Sequence, residues 1–176
     1  MPDWNWMEEV YPKAVPDAVL SLALDGKVFF AVYHSDMVPI TSCAEKPSDL
    51  MEMFHAYVAA HGEKTGCMEM AEYFYPRTDF GGWIPFEVNE GRLTGIGSFE
   101  NPFELTGFSQ GVKLQLMVEP GNFLGYLFKV KEGTDPEAFA STLREKGDPN
   151  WQVCATVGNV RTETDGQYVL FMMYDE

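Results

Sequence analysis

Four times along this chain, two strand-like runs meet across a short turn segment, and that repetition confines the fold to one built mainly on antiparallel sheet. The first pair, 18–24 and 27–33, flanks Asp25-Gly26. Asp-Gly accommodates the positive φ that a type I′ turn needs at both central positions, which predicts a hairpin with Leu24 opposite Lys27, Leu22 opposite Phe29 and Leu20 opposite Ala31. Both faces of this pair are apolar, as in a central pair of a larger sheet. In the second pair, Val112, Leu114, Leu116 and Val118 lie on one side with Lys113 and Gln115 on the other, and Leu124, Tyr126, Phe128 and Val130 recur with the same period of two. A three-residue loop, Glu119-Pro120-Gly121, would bring the two apolar rows onto one face, with Leu116 opposite Leu124 and Leu114 opposite Tyr126. The same reasoning predicts a hairpin of 84–88 with 92–96 around Asn89-Glu90-Gly91. It also predicts one of 153–162 with 167–174 around Asp165-Gly166, with Val160 opposite Phe171 and Thr162 opposite Val169. Residues 168–174 are apolar on both faces and read as an interior strand.

Between these pairs the period changes from two to near four. Ser48 stands where it can cap a helix over 49–61, with Leu50, Phe54, Tyr57 and Val58 as its apolar stripe and Gly62 at its exit. Asp135 with Pro136 starts a second helix, whose Phe139 and Leu143 face inward and which closes at Lys146-Gly147. A third helix spans 66–75 and stops at Pro76. The expected class is α+β: a mainly antiparallel sheet built from consecutive β-hairpins, with two or three helices packed on one face. A length of 176 residues suits one hydrophobic core, so 1–176 reads as a single globular domain.

Charge then narrows the partners. Twenty-seven Asp and Glu stand against 12 Lys and Arg, a formal net charge of −15, and the basic residues are scattered. Such a surface repels phosphate backbones and anionic lipid, so nucleic acid is not an expected partner. No apolar run approaches the length of a membrane span, so no membrane insertion is expected. The opening residues lack the basic start and apolar run of a signal peptide, which reads as cytoplasmic; an exported domain relieved of its signal peptide is the alternative. Cys43, Cys67 and Cys154 are too few and too widely spaced for a disulfide framework and read as thiols.

The richest stretch for binding is 76–111, with seven glycines, three prolines and the aromatics Phe80, Trp83, Phe86, Phe99, Phe103 and Phe108. Glycine-rich irregular segments let the backbone bend around a ligand while the scaffold holds the aromatics. Phe80, Trp83, Phe86 and Phe99 are therefore the expected ligand-binding residues, although the same aromatics would also serve to close an open edge of the core. Met51, Met53, His55, Cys67, Met68 and Met70 together hold the ligand types of a Cu(I) site. Met51 and His55 share a helix face but Met53 does not, and methionine is a common core filler.

Catalytic signatures are weak. His34-Ser35-Asp36 has the residue types of a hydrolase triad, but neighbours in an extended chain point to opposite sides. Asp79-Phe80-Gly81 lacks the other segments of a kinase, and Gly95-Ile96-Gly97 lacks the third glycine of a dinucleotide loop. The expected function is a non-catalytic binding or protein-interaction domain for a small molecule or protein, with no cofactor and no bound metal. The alternatives are a small enzyme whose residues converge only in space, and soft-metal binding by the Met/His/Cys set.

Overall fold

The computed structural model describes residues 18–24, 27–33, 44–78, 80, 82–116, 121–152 and 156–175, the first two stretches as backbone. The chain divides into two units, Met1–Thr41 and Ser42–Glu176. In the first, β1 (Ala18–Leu24) and β2 (Lys27–Tyr33) pair antiparallel with Leu24 opposite Lys27, Leu22 opposite Phe29 and Leu20 opposite Ala31, the register expected of the Asp-Gly turn. Asp25-Gly26 itself lies outside the described residues. Among the described strands these two pair only with each other, so the central position expected for them is not found.

The second unit is α+β. Its five antiparallel strands run in the order β3 (Trp83–Glu87), β6 (Phe108–Leu116), β7 (Phe123–Val130), β9 (Tyr168–Tyr174) and β8 (Asn159–Asp165). A separate two-stranded hairpin joins β4 (Gly91–Gly97) to β5 (Pro102–Leu105). Three helices complete the unit: α1 (Asp49–His61), α2 (Cys67–Phe74) and α3 (Pro136–Lys146).

The helices divide between the two faces of the sheet rather than sharing one. On one face Leu50 and Phe54 of α1 and Met70 and Phe74 of α2 pack with Leu114, Leu127, Leu170 and Met172. On the other, Phe139 and Leu143 of α3, with Ile96 and Leu105 of the β4–β5 hairpin, cover Tyr126, Phe128, Val169 and Phe171. With both faces covered, a central strand has no solvent side. This is why β9 is buried from Tyr168 to Tyr174, and each large side chain so buried contributes about 1.5–3 kcal/mol.

The same double cover explains two registers that differ from expectation. β6 meets β7 with Leu114 opposite Gly125 and Val112 opposite Leu127, not with Leu114 opposite Tyr126. The apolar rows therefore lie on opposite faces, and each finds its own cover: Val112 and Leu114 under the α1–α2 layer, Leu124, Tyr126 and Phe128 under α3. In the C-terminal hairpin Val160 stands opposite Met173 and Thr162 opposite Phe171, and Asp165 is a strand residue opposite Tyr168. The turn is Gly166-Gln167, with Gly166 at φ 56°, so only the glycine of the expected pair turns the chain. The shift is by two residues, which keeps every side chain on its expected face.

The hairpin expected between 84–88 and 92–96 does not form. β3 pairs with β6, setting Trp83 opposite Leu116, and the chain then crosses to pair β4 with β5. The helix boundaries follow their signals closely. Asp135 accepts a hydrogen bond from the Glu137 amide at 3.0 Å, the capping expected of it. Ser48 does not cap; it has helical φ and ψ, and Asp49 Oδ2 instead accepts from the amides of Glu45 and Lys46 at 3.0 and 3.1 Å. No described helix is long and apolar enough to cross a membrane.

Candidate functional site: a cleft beside the β4–β5 hairpin

β4 is irregular, and the irregularity makes the site. It pairs with β5 at Arg92–Glu104 and again at Gly97–Pro102, with more residues on the β4 side, so the strand bulges between them. The bulge is held from two sides: the Tyr126 hydroxyl donates to the Thr94 carbonyl at 3.0 Å, and the Asp148 amide to the Gly95 carbonyl at 2.8 Å. Gly95 has φ 74°, and a Cβ there would stand 2.5 Å from Leu124 Cδ2 and 2.6 Å from Met173 Cε. Glycine lets the backbone lie this close to the sheet.

The facing wall is the segment that leaves α3. Asp148 Oδ1 accepts from the Asn150 amide at 3.0 Å, and the Asp148 carbonyl accepts from the Trp151 amide at 3.0 Å, folding 148–151 into a tight turn. Asn150 Oδ1 accepts from the Thr156 hydroxyl at 2.7 Å, and Gln152 Oε1 from the Gly121 amide at 2.9 Å. The cleft between these walls has a volume of about 490 Å³. Phe99, Phe103 and Trp151 line it with apolar surface, and Arg92, Asp148 and Asn150 with polar groups.

Its charges are balanced. Arg92 lies 4.0 Å from Glu104, an exposed and weak pair, and Lys146 Nζ stands 5.8 Å from the centre of the Phe103 ring. Phe103 and Trp151 are half-buried against the α3 side of the core, whereas Phe99, between β4 and β5, is fully exposed.

Of the four aromatics expected to bind, only Phe99 lies in this cleft. Trp83 is 0% exposed and sits in the core under α1 and α2, opposite Leu116, so it offers no surface to a ligand. Phe80 is half-buried, edge-on to Phe123 at 5.1 Å. Phe86 is 46% exposed on the edge strand β3, opposite Lys113. The four do not form one surface, because β3 belongs to the central sheet while Phe99 belongs to the β4–β5 hairpin. Sequence reasoning missed Asp148, Asn150 and Trp151. Their signal was the Asp-Pro-Asn-Trp turn immediately after a helix end, which reads as a loop until the fold sets it against β4.

Two further clusters carry titratable groups. His55 directs Nδ1 to Asp165 Oδ2 at 2.9 Å and Nε2 to Glu163 Oε2 at 3.3 Å. Asp165, followed by Glu163, raises the His55 pKa above 6.5 against the opposing effect of partial burial. Since the two carboxylates engage different ring nitrogens, they do not converge on one point with the imidazole. Cys67 is buried at the start of α2, and burial pushes its thiol up to about 12. Both ring nitrogens of His55 already face carboxylates, and no group of three or more His, Cys, Asp and Glu that could hold a metal ion occurs among the described residues. His34, Cys43 and Cys154 lie outside the described residues.

Comparison with family models, with curated proteins and with solved structures finds no match for this chain.

Proposed function

We propose that this chain is a binding domain whose ligand site is the cleft between the β4–β5 hairpin and residues 148–152. The observation that carries this reading is convergence. Phe99 and Phe103 reach the cleft from the middle of the unit's sequence and Trp151 from about fifty residues further on, and a backbone hydrogen bond from Asp148 to Gly95 ties the two walls together. A volume of about 490 Å³ lies within the ordinary range for small-molecule sites, which are apolar with a few placed polar groups. A preformed site loses little freedom on binding. The net charge of −15 makes duplex DNA and anionic vesicles unsuitable partners.

The test is to record amide spectra of the protein while titrating a library of small fragments of mixed charge and polarity. Shifts are expected to concentrate in 92–103 and 148–152. Shifts concentrated around Phe86 on β3, or on no common surface, would contradict the reading.

A further inference from the structure

Building on that reading of the cleft, we infer that its ligand is a neutral hydroxylated ring, and that its chemical class is a carbohydrate. Charge selects first. Fifteen excess negative charges on the chain oppose the approach of anions at long range. Within the cleft Arg92 and Asp148 offset one another, so neither sign of charge is favoured there. A neutral ligand suits such a surface.

The surface selects next. A sugar ring has apolar C–H faces and a rim of hydroxyls, and it needs aromatic side chains beside groups that both donate and accept hydrogen bonds. Here Phe99 and Trp151 supply aromatic surface, Asp148 supplies a carboxylate, Asn150 an amide and Arg92 a guanidinium. Two of these polar groups are already oriented, Asp148 by the Asn150 amide and Asn150 by the Thr156 hydroxyl, so they do not need ordering on binding. An aliphatic ligand would strip water from the remaining polar atoms of Asp148, Asn150 and Arg92 without replacing it, which selects against it.

The experiment is calorimetric titration of the protein with glucose, galactose, mannose and N-acetylglucosamine and their disaccharides, read together with amide spectra. A saturable Kd of the order of 1 mM per ring is expected, with shifts at 92–103 and 148–152. Phe99→Ala should weaken it about fivefold or more; because Phe99 is fully exposed, this variant keeps the fold. Trp151→Ala should weaken it further, with the amide spectrum confirming folding. If no saccharide binds while apolar or charged fragments shift the same residues, the carbohydrate inference falls and the cleft stands. If saccharides bind with shifts elsewhere, or if nothing shifts 92–103 and 148–152, both fall.

Discussion

His55 Nδ1 on α1 lies 2.9 Å from Asp165 Oδ2 at the end of β8, joining the first helix of the unit to the edge of its sheet across 110 residues. Glu163, on the same strand, reaches the other ring nitrogen. The imidazole is 42% exposed, so the tie contributes only about 0.2–1 kcal/mol after solvent screening.

Its pH dependence has a definite sign. Asp165 and Glu163 raise the folded-state pKa of His55 above 6.5. The contribution is thus complete below about pH 6.5 and is lost as pH rises through the folded value. A proton titration of the His55 ring should give a midpoint above 6.5, and Asp165→Asn should move it down. A midpoint that Asp165→Asn leaves unmoved would show that this carboxylate does not act on the ring.

Trp83 gives the sharpest stability prediction. It is fully buried in the core shared by β3 and the α1–α2 layer, and its Nε1 has no hydrogen-bond partner among the described residues. Trp83→Ala should cost about 3–5 kcal/mol through the cavity it leaves. Trp83→Phe should cost distinctly less, since it keeps most of the ring and removes an unpaired N–H. Denaturant midpoints decide this, and equal losses for the two variants would contradict the packing described.

Gly95 sets the position of the bulge. Gly95→Ala combines a left-handed backbone with contacts under 3 Å to Leu124 and Met173. A loss of about 1–2 kcal/mol is expected from the left-handed backbone, since the methyl ends of Leu124 and Met173 can move aside. A thermal melt unchanged by this substitution would mean that β4 does not bulge at Gly95 as described.

Much of this fold was legible where local chemistry decides it. Asp135-Pro136 and Gly62 mark helix ends by capping rules that act within one turn, and these boundaries hold. The β1–β2 register follows from turn geometry alone. The β6–β7 register did not follow, because the preference for one apolar face assumes that the other face is wet, and α3 and the β4–β5 hairpin cover it. Likewise, nothing local in 84–96 shows that β3 pairs with β6 rather than β4, because the partner strand lies some twenty residues further on. Within the glycine-rich segment, residues of 92–103 line the cleft, whereas Phe80, Trp83 and Phe86 do not. The other wall comes from some fifty residues downstream, and convergence over that distance leaves no mark in either segment.

We propose the cleft lined by Phe99, Phe103 and Trp151 as the site this domain presents to its ligand. The most direct measurement is to soak crystals of the protein in a panel of small organic solvents and sugars and observe where bound molecules collect. Overlapping density from several of them is expected in the cleft, in contact with Trp151 and within hydrogen-bond reach of Asp148 or Asn150. Bound molecules gathered on another face, with only water in the cleft, would contradict it.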